Sequence, residues 1–235
     1  MGAIFLHFFR KTVATFALIS LLFSISCSAV EPAMTDEASV IILDAGHGGE
    51  DSGAVGVNGV LEKELNLAIA VMVGEELTAR GYTVVQTRTE DRLLYTEAEN
   101  IKGIRKISDL KNRVKIFNSY ENAIVVSIHM NSFAIAKYSG LQVYYADGSD
   151  SLATAIKSAV REELQPENKR AIKRGEGIYV LEHSANKAVL IECGFLSNPE
   201  ECAKLSEKEY QKRLSFSIVC GIIKYMEEKT NEKEA

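Results

Sequence analysis

Apolar and polar positions alternate along the chain in blocks whose periods separate strands from helices. Val40, Ile41, Ile42 and Leu43 form an unbroken, largely β-branched apolar run, the pattern of a strand buried on both faces. Over residues 62–80 the period becomes helical. Leu65, Ile69, Met72, Val73 and Leu77 share one stripe, and Gly81 stands where a helix C′ glycine belongs. Further strands are predicted over 82–86, 123–128 and 188–191, with a shorter one over 141–145 nearer an edge. An amphipathic helix is predicted over 109–120 through Leu110, Val114 and Phe117, preceded by a polar stretch of loop and frayed helix over 87–108. Another helix, over 151–164, stops before Pro166. Residues 165–177 read as charged loop and 178–181 as a short strand or turn. A terminal helix over 207–226 carries Leu214, Ile218, Ile222 and Tyr225 on one side. Strands alternating with helices imply an α/β fold: a three-layer sandwich with a mixed, mostly parallel sheet and helices on both faces.

The start of the chain departs from this pattern. Arg10 and Lys11 precede an apolar run over 12–25, and the small residues Ser26, Cys27, Ser28 and Ala29 follow. That is the layout of an export signal. The run is short for a transmembrane helix, although an uncleaved anchor is the alternative reading. Ser24 stands where a bulky aliphatic usually precedes a lipidated cysteine, which argues against lipidation at Cys27. Residues 1–29 are therefore read as an export signal or N-terminal anchor, 30–39 as a linker, 40–228 as one catalytic domain and 229–235 as a polar tail. The chain is expected to act beyond the cytoplasmic membrane.

Composition narrows the classes. The chain has 235 residues, 46% hydrophobic and 25% charged, with a formal net charge of −5. This is ordinary globular composition and excludes disorder as the main state. The acidic balance leaves no nucleic-acid footprint, so a polymer substrate must be held by local contacts. Cys193, Cys202 and Cys220 are odd in number and fit no CxxC spacing, so they read as apolar thiols rather than a disulfide framework.

The candidate chemistry lies at strand ends. His47 follows the first strand, His129 follows the strand over 123–128, Glu192 ends the strand over 188–191, and Glu62 opens the first long helix. In parallel sheets the loops beyond the carboxyl ends of strands build the site. Two imidazoles and one carboxylate are a recurrent zinc set with a position left open for water. Glu192 could then take a proton from that water and pass it to a leaving nitrogen. Blander readings stand beside this one. Each histidine can be a loop or packing residue, Glu62 a helix-dipole partner, and Glu192 a structural ion pair. No compact motif such as HExxH is present.

The local sequences carry more. IILDAGHGGEDSGAVGVNGVLEKELNL (41–67), VVSIHMNS (125–132) and VLIECGFLSNPEE (189–201) resemble, in order, the three motifs of the zinc-dependent N-acetylmuramoyl-L-alanine amidases of the type-3 family. The resemblance covers roughly residues 40–226. It implies that His47, Glu62 and His129 hold one Zn2+ per chain and that Glu192 is the catalytic glutamate. Glu64 competes for the carboxylate position, but two residues on along a helix faces roughly the opposite side. The implied reaction cuts the amide between the lactyl group of N-acetylmuramic acid and L-alanine of the peptidoglycan stem peptide.

Around these residues, Asp44 reads as orienting His47 or as a turn residue. Gly46, Gly48 and Gly49 read as a tight turn that also admits a bulky substrate. Asn131 reads as a substrate contact or a loop brace, and Arg88 and Arg113 as structural. The stretch between His129 and Glu192 has no room for the helical insertion that blocks the site in some relatives. The stretch 87–112 is longer than usual in the family. With a bare catalytic domain, it resembles the sporulation and germination-specific amidases of spore cortex. That subfamily implies a location such as the forespore intermembrane space, a possible activating lipoprotein, and a separate muramic acid deacetylase that acts next to form muramic-δ-lactam. Alternatives are a vegetative cell-wall amidase and a zinc carboxypeptidase or aminopeptidase on a similar scaffold. The latter would need a charged clamp for a peptide terminus, which the sequence does not show. A wall-binding protein with a degenerate site would lack a ligand or Glu192, and none is missing.

Overall fold

The computed structural model describes residues 40–234. The export leader or anchor, the linker through residue 39 and Cys27 lie outside the described residues. Among the described residues, no helix is long and apolar enough to cross a membrane.

Six strands form one sheet: β1 (Ile41–Ala45), β2 (Val84–Gln86), β3 (Ile124–Asn131), β4 (Gln142–Tyr145), β5 (Lys173–Arg174) and β6 (Lys187–Phe195), in the order β2-β1-β3-β6-β4-β5. The neighbours β2, β1, β3 and β6 run parallel, while β4 is antiparallel to β6 and parallel to β5. The helices are α1 (Glu62–Ala79), α2 (Arg105–Phe117), α3 (Asp150–Glu163), α4 (Tyr179–Glu182), α5 (Pro199–Ser206) and α6 (Lys208–Glu234). The mixed, mostly parallel sheet is the one the alternating pattern implies.

Side chains alternate across the strands, and the two faces have different fates. On one face Ile41, Leu43, Val126, Ile128, Val189 and Ile191 pack beneath α1, α3 and α6, which contribute Ile69, Leu77, Ile156, Ile218 and Ile222. Full burial of each such side chain stabilises by about 1.5–3 kcal/mol. On the other face Ile42, Val125, Ala188 and Leu190 meet Val114 and Phe117 of α2 and Val180 and Leu181 of α4. This second face changes character toward the carboxyl ends of the strands. The same parity continues into Asp44 on β1, Ser127 and His129 on β3, and Glu192 on β6. Asp44 lies in register with Ser127, and His129 with Glu192. The two-residue period thus gathers polar groups from three strands at one end of one face.

Several elements differ from the sequence pattern. His129 and Glu192 lie inside β3 and β6 rather than beyond their ends. Ladder pairing between the two strands carries them past the point where the apolar runs stop. Residues 178–181 fall in the short helix α4 rather than a strand or turn, with the N–H groups of Leu181 and Glu182 both donating to the Ile178 carbonyl. The stretch 165–177 contains β5, which pairs with Tyr144 and Tyr145. Helix α5 follows the Asn198 cap, whose side chain accepts from the Glu200 and Glu201 N–H groups. Helix α6 runs on through Glu234, into the stretch read as a polar tail. Between His129 and Glu192 the chain is taken up by β4, α3, β5 and α4.

Candidate metal centre

At the end of β1 the chain enters a turn of left-handed residues. His47 has φ 59°, Gly48 141° and Gly49 55°. For histidine that conformation costs on the order of 1–3 kcal/mol and persists only where the surroundings impose it. It brings His47 Nε2 within 3.1 Å of Glu62 Oε1, at the start of α1. The same oxygen lies 3.0 Å from His129 Nδ1 and accepts from the Met130 N–H at 3.1 Å. Glu62 Oε2 accepts from the Ala54 N–H at 2.8 Å. The two imidazole rings are 5.0 Å apart at 74°.

One atom each from His47, Glu62 and His129 lies within 4.8 Å of the others, and this group could hold a metal ion. The donor set suits zinc. The atoms behind it also fit. His47 Nδ1 donates to Asp51 Oδ2 at 2.8 Å, which leaves Nε2 facing Glu62. An outer carboxylate of this kind fixes the tautomer and orientation of a ligating histidine. Glu62 is buried, while the histidine side chains keep 21% and 18% exposure, so the group is open on one side. Space is tight around it. A Cβ on Gly46 would meet the His129 ring at 2.2 Å, and one on Gly53, at φ +64°, would meet Glu62 Oε2 at 2.5 Å.

Charge is shared closely here. Burial opposes ionisation of both His47 and Glu62. The Asp51 and Glu62 carboxylates nevertheless raise His47 to about 9, and the two imidazoles hold Glu62 well below the usual carboxylate range. The carboxylates thus stabilise positive charge at the position a cation would take. Glu192 behaves oppositely. Burial, with a contribution from Glu62, pushes it up to about 7 against the opposing pull of the histidines. Among the described residues its Oε2 is enclosed without a hydrogen-bond partner. A carboxyl near neutrality beside His129 can accept and return a proton at physiological pH.

The four residues singled out from the sequence therefore converge on one edge, and Glu64 is exposed outside the group. Asp44 does not orient His47. It accepts from Thr87, Ser127 and Arg113 beneath the turn, and Asp51 holds the imidazole instead. The sequence reading missed Asp51, which stands one helical turn's length beyond His47 in the first motif. The Asn131 carbonyl accepts from the Leu196 N–H at 2.8 Å, a brace between β3 and the chain after β6.

This chain matches the family model described as N-acetylmuramoyl-L-alanine amidase over residues 41–224. It is 38% identical over 198 residues to the germination-specific N-acetylmuramoyl-L-alanine amidase of Bacillus subtilis, covering 83% of each chain. Among solved structures it is similar to the CwlD amidase of Clostridioides difficile, determined in complex with the GerS lipoprotein. The TM-score there is 0.77 with 38% identity, covering 80% of this chain and 98% of that one. It is also similar to the amidase AmiC2 of Nostoc punctiforme, with TM-score 0.71 and 30% identity over 81% of this chain and 98% of that one. The motif order, the sheet and these likenesses agree: the chain belongs to the N-acetylmuramoyl-L-alanine amidase family.

Proposed function

We propose that this amidase works on spore cortex peptidoglycan and is a zinc enzyme. It would hydrolyse the amide between the lactyl group of N-acetylmuramic acid and L-alanine, with His47, Glu62 and His129 holding the ion and Glu192 moving the proton. The observation that carries the reading is Glu62 Oε1, 3.1 Å from His47 Nε2 and 3.0 Å from His129 Nδ1, with Glu192 in register beside His129.

When bound, zinc supplies polarisation of a carbonyl and a more acidic water at neutral pH. The chain supplies the rest. Asp51 keeps His47 Nε2 facing the group, and the Ala54 N–H keeps the Glu62 carboxylate in place. Glu192 takes the proton of the attacking water at its carboxylate and delivers it to the departing L-alanine nitrogen. The cortex substrate is supported by the likeness to the germination-specific amidase and to CwlD. The lipoprotein in the CwlD complex supports an activating lipoprotein partner here. The peptide-free muramic acid would pass to a separate deacetylase, and the reaction would take place outside the cytoplasmic membrane, in the cell wall or the forespore intermembrane space.

The test is digestion of cortex and vegetative peptidoglycan by the purified protein, with zinc or with chelator, and products identified by mass. Free stem peptides beginning with L-alanine, dependent on zinc and reduced about 10²–10⁴-fold in Glu192→Gln, are expected. Peptides cut at another bond would favour the peptidase reading. Equal release from both walls would remove the cortex assignment.

A further inference from the structure

Two arginines lie beneath the left-handed turn, and neither reaches a candidate ligand's side chain. Arg88 is 2% exposed and Arg113 is 1% exposed. Arg88 Nε donates to the Ala45 carbonyl at 2.8 Å, and its Nη2 donates to the carbonyls of Gly46 at 2.9 Å and Lys63 at 2.8 Å. Arg113 donates to the carbonyls of Ala45 and His47, each at 2.7 Å. Three consecutive carbonyls around His47 are therefore gripped by two guanidinium forks.

The connection through Arg88 matters most. Gly46 precedes His47, and Lys63 follows Glu62. One nitrogen of Arg88 thus joins the backbone beside the first candidate ligand to the backbone beside the second. Asn66 makes a parallel link, its Nδ2 donating to the Gly46 carbonyl at 3.1 Å and to Glu62 Oε1 at 3.3 Å. Burying guanidinium groups is costly, and an apolar filler often serves a core as well or better. What an apolar filler cannot do is hold carbonyls in a turn that His47 enters at φ 59°. Arg113 is itself fixed by Asp109 at 2.8 Å and by Asp44. Among the described residues no carboxylate is hydrogen-bonded to Arg88, and its donors go to backbone carbonyls.

We propose that Arg88, supported by Asn66, is a positioning residue that sets the separation of His47 from Glu62 and thereby governs how tightly the centre takes its metal. The inference rests on the zinc reading above. Lysine at this position keeps the charge and loses the planar fork, so it cannot join three carbonyls at these angles.

The test measures zinc affinity by competition with a chromophoric chelator, together with the rise in melting temperature that zinc causes. The proteins compared are wild type, Arg88→Lys, Asn66→Ala and the exposed control Arg213→Lys. Arg88→Lys is expected to weaken zinc binding about 10- to 100-fold, the range seen when residues behind metal ligands are replaced. Asn66→Ala is expected to weaken it about tenfold, and the control not at all. The zinc-induced rise in melting temperature should shrink in the same order, whatever happens to the metal-free protein. If Arg88→Lys does not fold, Arg88→Gln, which keeps planar N–H donors but too short a reach to join the Gly46 and Lys63 carbonyls, takes its place with the same weakening expected. Wild-type zinc affinity and a full zinc-induced rise in the folded variants would show that Arg88 merely supports the fold and would overturn the inference. A wild-type protein that takes up no zinc would overturn the zinc reading itself, and the inference with it.

Discussion

Glu62 and Glu192, which feel the same two histidines, are driven in opposite directions. Glu62 accepts hydrogen bonds at both oxygens and stays ionised, while Glu192 has an enclosed oxygen with no partner among the described residues and rises to about 7. The rise has a consequence for stability. Between its unperturbed value of 4.5 and about 7, the folded protein holds a proton that the unfolded chain releases. Stability of the metal-free protein therefore falls as pH rises through that window. Glu192→Gln removes the penalty, so urea unfolding of the metal-free variant should show a gain of up to about 3 kcal/mol at pH 8 and little gain at pH 5. Equal midpoints at both pH values would contradict this. Gly53→Ala is a second residue-scale prediction. It places a Cβ 2.5 Å from Glu62 Oε2 at φ +64°, so zinc affinity should drop at least about tenfold, as read by chelator competition. The four principal residues were legible in the sequence because the motifs and the strand ends both mark them. Asp51 was not, because nothing in the spacing distinguishes its carboxylate from that of Asp44. Only the left-handed turn decides which one reaches His47.

Elements were legible in proportion to how far apolar burial specifies them. Strand β1 and helix α1 follow directly from an unbroken apolar run and a helical stripe. The ends of β3 and β6 do not, because backbone pairing rather than side-chain hydrophobicity holds His129 and Glu192 in the sheet. Strand β5 comprises Lys173 and Arg174, both exposed, and exists only through its pairing with β4. Helix α5 did have a signal in the chain, Asn198 followed by Pro199 and two glutamates, a capped start with acidic residues in the first turn. The packing of α3 against α6 supplies a prediction at this scale. A Cβ at Gly221 would lie 2.4 Å from the Ile156 Cα, an atom of backbone that cannot swing aside. Alanine adds about 1 kcal/mol of helix propensity, while overpacking of a tight core costs about 1–3 kcal/mol. The clash with backbone should win, so Gly221→Ala should lower the melting temperature by a few degrees. An unchanged or raised melting temperature would show that the helix pair relaxes freely.

The whole molecule separates support from chemistry by face and by end. One face of the sheet is closed by α1, α3 and α6, and the other carries its polar groups at the carboxyl end of β1, β3 and β6. Because Glu62 opens α1 while His129 lies in β3, a bound ion would tie a helix of one layer to the central sheet. Metal should therefore stabilise the entire fold. At zinc concentrations about 100 times the dissociation constant, the gain is about 2.7 kcal/mol, which for a domain of this size means a rise on the order of 5–10 °C. Chelator should reverse that rise in the same scanning experiment, and a zinc-independent melting temperature would contradict a centre that bridges these layers.

The most direct test of the central claim is X-ray absorption at the zinc edge on the loaded protein. Nitrogen and oxygen neighbours at about 2.0–2.2 Å with imidazole scattering from two histidines are expected, together with a loss of bound zinc in His129→Ala. Sulfur neighbours at about 2.3 Å would place the ion on a cysteine and contradict the assignment to His47, Glu62 and His129.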